Sequence, residues 1–226
     1  MFQDLINLFY PSICQICGSE LYINQKILCT SCVNELPITN FHLDNDNAVE
    51  KVFYGRIPIE HATSLLLFKK KGGVQKLIHN LKYRGHQEIG SYLGSWLGEE
   101  LAKTPSYQAI DMVIPVPLHK KKLRKRGFNQ VEGFGRQIAL SLNVPYIDDV
   151  LQKTSYSTTQ TLKSRLARWG NIEESFVLLN SEKIKNKHLL LVDDLITTGA
   201  TLEACADVLL EVENVKISIA TMAFTA

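Results

Sequence analysis

The sequence predicts an α/β protein in which helices flank a mainly parallel central sheet, preceded by a small cysteine-containing module. Apolar runs at 111–116, 188–192 and 215–224 alternate with stretches whose apolar residues recur at helical spacing. Two CxxC motifs lie near the N-terminus, and a loop rich in threonine and glycine follows the second apolar run. We expect residues 1–50 to form the module and a linker, and residues 51–226 to form the α/β domain.

The composition is that of a globular protein without a strong overall charge. Of the 226 residues 45% are hydrophobic, and the formal net charge is +2, so contacts with polyanions would depend on local basic patches. No uninterrupted apolar stretch approaches the ~18–20 residues that a membrane-spanning helix needs. Asp4 occupies the place where a signal peptide is basic. The sequence therefore predicts a cytoplasmic protein without membrane insertion, whose thiols stay reduced.

Four of the five cysteines form two CxxC pairs with eleven residues between them. They are Cys14, Cys17, Cys29 and Cys32. Each pair can direct two thiolates at one metal, and two pairs complete the four-thiolate tetrahedron of a structural zinc ion. A disulfide fits a reducing compartment poorly, and the duplication argues against a single redox CxxC motif, so we predict zinc. Cys205 lies on an apolar helical face and is expected in the core.

Secondary structure up to residue 116 is predicted from apolar spacing and turn residues. Residues 1–10 are expected to form a short helix, and the acidic, Asn-rich stretch 41–50 a linker or an exposed loop. The pattern then predicts a strand at 61–68, helices at 74–83 and 87–103, and a strand at 111–116.

Beyond residue 116 the alternation of strands and helices continues. The pattern predicts a basic loop, a helix at about 129–142, a short strand at 144–147 and a polar segment at 152–171. It then predicts strands at 176–179 and 188–192, a helix at 200–212 and a final strand at 215–224.

Two acids and a hydroxyl-rich loop follow the apolar run at 188–192. Asp193-Asp194 and Thr197-Thr198-Gly199-Ala200-Thr201 would lie between the carboxyl end of a parallel strand and a helix N-terminus. Open α/β sheets bind ligands there, and helix N-termini attract phosphate. The acids can accept hydrogen bonds from vicinal hydroxyls, so a ribose 5-phosphate suits the stretch. The alternative is an ordinary strand-to-helix connection with a threonine N-cap, although one cap needs only one hydroxyl.

A second candidate binding stretch is PVPLHKKKLRKRGFNQ, residues 115–130, with six Lys or Arg residues from Lys120 to Arg126. Arg126-Gly127 follows another predicted parallel strand and precedes a helix, so it is expected to face the same crevice. Lys120, Arg126 and Gly127 would then hold pyrophosphate, because cations stabilise the charge that develops on this leaving group. For Lys120–Lys122 a solvated surface run is the alternative.

Two further stretches are candidates for contacting an acceptor or closing over the site. Lys82, Tyr83 and Arg84 place two cations around an aromatic ring at a helix end, which simple capping of that helix would also explain. The polar segment 152–171 is either a lid that excludes water or a mobile surface loop. Its candidate residues are Gln160, Arg168 and Asn171.

The stretch VDDLITTGAT resembles the phosphoribosyl-pyrophosphate signature of type I phosphoribosyltransferases. This resemblance implies a type I phosphoribosyltransferase fold and Mg-phosphoribosyl pyrophosphate as the ligand. It also implies that the two acids contact the ribose 2- and 3-hydroxyls and that the TTGAT loop holds the 5-phosphate. The matching residues are Asp193, Asp194, Leu195, Ile196, Thr197, Thr198, Gly199, Ala200 and Thr201.

The wider set of motifs resembles the ComF family of competence-associated proteins. CxxC-x11-CxxC, LKYRG, PVP with RGFNQ, an R-x-x-N segment and VDDLITTGAT occur in that order. The resemblance implies an N-terminal zinc ribbon on a phosphoribosyltransferase domain and, for some members, an association with DNA uptake during natural transformation. The family's lid pattern T-x-x-Q-x-x-L-x-x-x-x-R is matched at Gln160 and Arg168, while Ser157 and Lys163 replace its threonine and leucine.

Two classes of function follow. In the first, the protein is an enzyme that transfers a phosphoribosyl group to an acceptor that the sequence does not name, with Asp193, Asp194 and Arg126 as catalytic residues. In the second, it is a non-catalytic adaptor of the competence machinery that binds single-stranded DNA through its basic runs and aromatic rings. A third hypothesis gives the zinc module a protein-docking role and the sugar-phosphate site a regulatory one.

Overall fold

The computed structural model describes residues 11–154 and 175–226, and these contain seven α-helices and six strands. The helices are α1 (Thr30–Asn34), α2 (Ala48–Lys51), α3 (Gly73–Tyr83), α4 (Glu88–Lys103), α5 (Lys120–Arg126), α6 (Glu132–Leu142) and α7 (Ala200–Leu210). The strands are β1 (Ala62–Leu67), β2 (Met112–Pro115), β3 (Leu151–Thr154), β4 (Ser175–Leu178), β5 (His188–Ile196) and β6 (Lys216–Phe224). None of the helices in these ranges is both long enough and apolar enough to cross a bilayer.

Four strands form one parallel sheet in the order β1-β6-β5-β2, which confirms the predicted sheet. β5 is central: it pairs with β6 along its whole length and with β2 up to the pair Pro115–Val192. Because β2 and β5 are parallel neighbours, the segments that leave their carboxyl ends lie side by side. These segments are the basic stretch after Pro115 and the loop after the acid pair.

Both faces of the sheet are covered, so β5 has a continuous apolar run instead of alternating polar and apolar residues. Leu190 and Val192 belong to a core that includes α3, α4 and α6. Leu189 and Leu191 belong to the core on the other face, together with Cys205 of α7. All five side chains are fully buried, and the core position predicted for Cys205 is confirmed.

The N-terminal cysteine module packs against α3. Lys76 Nζ donates to the carbonyl of Ile16 at 3.0 Å, and Asn80 Nδ2 donates to the carbonyl of Gln15 at 3.1 Å. Ile16 also lies so close to Gly73 that a Cβ atom there would come 3.0 Å from its Cγ2. The module and α3 share one apolar core. The helix α3 therefore runs from the cysteine module to its own last residue, Tyr83.

The stretch 41–50, predicted as a linker or an exposed loop, is partly buried. Asn47 caps α2 by accepting hydrogen bonds from two backbone N–H groups, and its amide donates to the carbonyl of Ala62 at 2.9 Å. Val49 and Phe53 are fully buried on the α7 face of the sheet. The polar composition concealed this packing because Asn47 satisfies buried backbone groups rather than facing water.

The basic stretch after β2 is a helix, α5, and the prediction of a loop there is wrong. The His119 side chain accepts from the N–H of Lys121 at 3.2 Å, and Gly127 ends the helix with φ of +84°. Lysine and arginine are good helix formers, and cations in a last turn interact favourably with the helix dipole. Leu123 is the one apolar residue of α5, so the segment has no apolar periodicity from which a helix could be predicted.

Three other elements of secondary structure differ from the prediction. The helix expected from about 129 begins at Glu132, after Asn129 has donated its amide to the carbonyl of Val116 at 3.1 Å. The strand expected at 144–147 is reduced to a single bridge between Tyr146 and Val113. β3, which was not predicted, pairs antiparallel with β4 and brings Thr154 opposite Ser175. The predicted helix at 1–10 and the candidate lid residues Gln160, Arg168 and Asn171 lie outside the described residues.

Candidate functional site

The acid pair lies inside β5, which continues to Ile196 instead of ending at Val192 as predicted. Asp193 and Asp194 are 9% and 4% exposed, and the backbone N–H of Asp194 donates to Asp193 Oδ1 at 2.8 Å. Burial, together with the charge of Asp194, raises the pKa of Asp193 to about 8. At neutral pH Asp193 therefore carries a proton and can donate as well as accept hydrogen bonds.

Asp194 is held by side chains from two other parts of the chain. Lys82, at the end of α3, pairs with Oδ1 at 2.8 Å, and Gln130 donates its amide to Oδ2 at 2.6 Å. Arg126, at the end of α5, donates in turn to the side-chain oxygen of Gln130. The structure thus brings Lys82, Arg126 and Asp194 into one hydrogen-bonded network.

Tyr83 is the last residue of α3, and its side chain lies largely in solvent beside the end of α5. It is 70% exposed, and the guanidinium carbon of Arg126 lies 5.7 Å from its ring centroid. The ring centroid of His79 lies 5.0 Å from that of Tyr83. An exposed aromatic ring beside an arginine is a surface on which a planar group can stack.

The loop after β5 presents hydroxyl groups at a helix N-terminus. Thr197 and Thr198 are exposed, and α7 begins at Ala200. Gly199, between them, is buried and has φ of +76°, a conformation that favours glycine. The first N–H groups of α7 and the threonine hydroxyls therefore surround a position where a phosphate can bind.

The same loop is supported from behind by the segment that follows α2. A Cβ atom at Gly199 would lie 2.6 Å from Cγ1 of Val52, so no larger residue fits there. Arg56 donates to the carbonyl of Thr198 at 2.7 Å and pairs with Glu203 of α7. The conformation of the loop therefore depends on residues well outside the motif.

α5 places a dense positive charge beside this network. The helix contains no acidic residue, and its side chains are exposed except for Arg126. Lys120, the first residue of α5, lies about 9 Å from Arg126 along the helix axis. Of the three predicted pyrophosphate contacts, Arg126 is joined to the acid pair through Gln130, whereas Lys120 and Gly127 lie at the two ends of α5.

Comparison with known proteins gives one domain match and several relatives. A phosphoribosyl transferase domain matches residues 132–225. DNA utilization protein YhgH from Shigella flexneri is 29% identical over 88% of this chain and 84% of its own length. Competence protein F from Haemophilus influenzae is 24% identical over 90% and 82%, and competence protein ComFC from Streptococcus pneumoniae is 31% identical over 60% and 56%. Together these matches support the ComF family that the sequence motifs resemble.

The phosphoribosyl transferase match agrees with the architecture. The matched residues 132–225 run from α6 to the end of β6 and include the acid pair and the threonine loop. The fold is a phosphoribosyltransferase fold, an α/β fold with a parallel central sheet between helices and an N-terminal four-cysteine module, as the sequence predicted.

Sequence reasoning missed two residues that hold this site together. Gln130 is the last residue of the RGFNQ motif, so a signal was present although no role was assigned to it. Arg56 lies in no motif, and its partner Thr198 is 142 positions later in the chain. Only the folded chain shows that contact.

The four cysteines of the N-terminal module converge on one point. The Sγ atoms of Cys14, Cys17, Cys29 and Cys32 all lie within 4.8 Å of one another, and those of Cys17 and Cys29 are 3.7 Å apart. A tetrahedron with metal–sulfur bonds of ~2.3 Å has edges of about 3.8 Å. The Ser19 hydroxyl, 2.9 Å from the Cys17 sulfur, lowers the pKa of that thiol to about 6 and so favours the thiolate. These cysteines can hold one metal ion.

Proposed function

We propose that the protein binds Mg-phosphoribosyl pyrophosphate and transfers the phosphoribosyl group to an acceptor. The observation that carries the proposal is the meeting of the acid pair, the threonine loop and Arg126 at the carboxyl ends of β5 and β2. A ribose 5-phosphate needs acceptors for its hydroxyls at one end and donors for its phosphate at the other. Pyrophosphate needs cations, and α5 supplies them.

The residues predicted to contact ribose phosphate and pyrophosphate have the following roles in this proposal. Asp193 and Asp194 accept hydrogen bonds from the ribose hydroxyls, and Arg126 with Lys120 and Gly127 contacts pyrophosphate. The loop and the start of α7 hold the 5-phosphate through backbone N–H groups and hydroxyls. The residues that form this cradle are Leu195, Ile196, Thr197, Thr198, Gly199, Ala200 and Thr201.

The proposed transfer needs no covalent intermediate with the protein. The bond from ribose C1 to the pyrophosphate oxygen breaks, and the bonding electron pair leaves with pyrophosphate. A lone pair of the acceptor forms the new bond to C1, and the proton displaced from the acceptor passes to solvent. Negative charge grows on the leaving group, so a fixed guanidinium such as that of Arg126 stabilises the transition state more than the ground state.

Zinc would be held by side chains of the described residues, whereas magnesium would be held by the substrate. Asp194 has both oxygens engaged and Asp193 is protonated at neutral pH, so the ligands of magnesium would be pyrophosphate oxygens and water, its usual choice. When bound, magnesium neutralises charge on pyrophosphate. The four cysteines suit zinc, and four thiolates leave no coordination position open for catalysis.

Titration calorimetry with phosphoribosyl pyrophosphate and magnesium tests the proposal. The wild type is expected to bind, and the double variant Asp193→Asn/Asp194→Asn to lose binding, because each amide keeps only one acceptor oxygen and replaces the other with an NH₂ donor. Asp207→Asn, which removes an exposed acid from α7, is the matched control and is expected to bind normally. Absence of binding by the wild type would refute the proposal. If the wild type binds, a pyrophosphate-release screen over candidate acceptors would identify the acceptor.

The exposed surface of α5 favours a second function, the binding of single-stranded nucleic acid. Six cations and no acid lie on its seven residues, and relatives of the chain are named as competence and DNA utilization proteins. Cationic surfaces bind the phosphate backbone with a strong dependence on salt. The triple variant Lys121→Ala/Lys122→Ala/Lys125→Ala is expected to weaken oligonucleotide binding and reduce its salt dependence while phosphoribosyl pyrophosphate binding persists. Affinity that does not change with salt would contradict this function.

A further inference from the structure

A separate cleft lies between the cysteine module and α3. Its volume is about 650 Å³, which falls within the range of about 300–1,000 Å³ typical of small-molecule sites. The turn from Ile13 to Gly18 forms one wall, and α3 with its flanking residues forms the other. Among the described residues that line it there is no aspartate or glutamate. The basic ones are Lys71, Lys76, His79, Arg84 and His86.

The walls of this cleft are fixed to each other, so the space is preformed. Lys76 and Asn80 hold the carbonyls of Ile16 and Gln15 at 3.0 and 3.1 Å. Lys71 and Arg84 are different: both are exposed, and within the described ranges neither side chain has an ion-pair partner. Two cations without partners on the rim of an acid-free cleft are suited to bind an anion.

The cleft and the ribose-phosphate site share the end of α3. Lys82 reaches Asp194, whereas Arg84, two residues later and at most about 7 Å away along the chain, lines the cleft. The ring centroid of Tyr83, the residue between them, lies 5.7 Å from the guanidinium carbon of Arg126 and 5.0 Å from the ring centroid of His79, a cleft residue. A ligand with its phosphate in the cleft and a planar ring on Tyr83 would therefore extend toward the acid pair.

We propose that this cleft holds the phosphate of the acceptor and that the acceptor is a nucleotide, free or at the end of a nucleic acid, whose base stacks on Tyr83. The inference that the ligand is an acceptor rests on the proposed phosphoribosyl transfer, whereas phosphate binding in the cleft does not. Each feature has a counterpart in a nucleotide: Lys71 and Arg84 match the phosphate, and the exposed ring of Tyr83 matches the base.

A simpler role for the cations is to balance the charge of the metal centre. Four thiolates around a divalent zinc ion carry a net charge of two minus, and neighbouring cations reduce the cost of that charge. This role requires that removal of the cations weakens metal retention. It does not require affinity for a nucleotide, and it gives no reason for the exposed ring beside Arg84. The two roles therefore predict different results for the same variants.

Calorimetry on the zinc-loaded full chain tests the proposal with two probes, adenosine 5′-monophosphate and a short oligothymidylate. Ribose 5-phosphate is kept at saturation so that the probe cannot occupy the threonine loop. The variant Lys71→Ala/Arg84→Ala is expected to bind the probes about tenfold or more weakly, because two charged donors to phosphate are lost. Lys26→Ala is the matched control, since Lys26 is an exposed lysine of the module that does not line the cleft. Tyr83→Leu is expected to weaken binding severalfold through loss of stacking.

The two probes separate the sources of the phosphate. Binding of the mononucleotide with the expected loss in the variant supports a free nucleotide, and binding of the oligonucleotide alone with the same loss supports a nucleic-acid end. The proposal is overturned if neither probe binds, if the double variant binds as the wild type does, or if that variant releases zinc while nucleotide affinity is unchanged. Asp193→Asn/Asp194→Asn is expected to keep nucleotide binding. If the wild type fails to bind phosphoribosyl pyrophosphate, the proposed transfer is refuted. The phosphate site in the cleft is tested separately, by the titration with the two nucleotide probes.

Discussion

The two ends of residues 193–201 are built in opposite ways. At the acid end, Asp194 is buried and has a partner on each carboxylate oxygen, and Asp193 is buried and protonated at neutral pH. At the loop end, Thr197 and Thr198 face solvent, and the support comes from Arg56 behind the loop. A ligand must therefore displace or share protein hydrogen bonds at the acids, whereas at the threonines it replaces water.

This difference has an energetic consequence. A buried polar network in which every member is satisfied is rigid, and removing one member leaves the others buried without a partner. Removal of one contact from an exposed loop costs little stability, because water replaces the lost partner. We therefore expect the loss of a side-chain partner at the acid end to change the stability of the fold, and the loss of a side-chain partner behind the loop to change mainly the affinity of the loop for phosphate.

The largest effect is expected from Lys82→Ala. The substitution leaves the Asp194 carboxylate buried with Gln130 as its remaining side-chain partner. Loss of one partner from a buried pair costs about 3–5 kcal/mol, and the 21% exposure of the Lys82 side chain lowers the expectation to about 2–4 kcal/mol. Denaturant unfolding at neutral pH measures this loss. In the double variant Lys82→Ala/Asp194→Asn most of the stability should return, and a loss below about 1 kcal/mol in the single variant would show that Asp194 is not effectively buried.

Gly199→Ala tests the packing behind the loop and is expected to destabilise the protein by about 2–3 kcal/mol. The new Cβ atom would have to displace Val52, and the alanine would have to adopt a φ of +76°. Gly85→Ala is the matched control, because Gly85 has φ of +77° and nothing lies within 4 Å of the position of its Cβ. The control isolates the backbone strain, expected at about 1 kcal/mol. Equal losses in the two variants would mean that the contact with Val52 contributes nothing.

The site could be predicted from the sequence where its signal is local and not where its contacts are distant. The run Leu189–Val192 and the TTGAT loop are contiguous, so both the parallel strand and the helix after the loop were predicted. Lys82 was singled out from its own motif, but its partner Asp194 is 112 positions away. α5 was predicted as a loop because charge, not apolar spacing, characterises its residues. Local patterns report strands, caps and turns, whereas the partners of a buried acid depend on how distant elements pack.

Asp193→Asn is expected to stabilise the protein at alkaline pH. The pKa of Asp193 rises from an ordinary 3.8 to about 8 in the folded state. Between these values the unfolded chain releases a proton that the folded chain keeps, so the free energy of unfolding falls as the pH rises through this window. An asparagine is neutral in both states, so the variant should gain about 1–3 kcal/mol at pH ~8 relative to the wild type and lose the advantage near pH ~4. Unfolding curves at several pH values measure the difference. Asp44→Asn, at an exposed acid, controls for the loss of one carboxyl group.

The smallest change in stability is expected from Arg56→Ala. The Arg56 and Glu203 side chains are 32% and 28% exposed, so their ion pair should contribute only about 0.5–1 kcal/mol. The hydrogen bond to the carbonyl of Thr198 has a different importance, because it fixes the peptide that precedes Gly199. Affinity for ribose 5-phosphate is therefore expected to fall severalfold, while the unfolding curve shifts little. Arg56→Lys should restore less than half of the lost affinity, because lysine lacks the planar guanidinium and its several fixed N–H donors. If Arg56→Ala instead cost as much stability as Lys82→Ala, the loop would be part of the buried network, and the contrast between the two ends of residues 193–201 would be wrong.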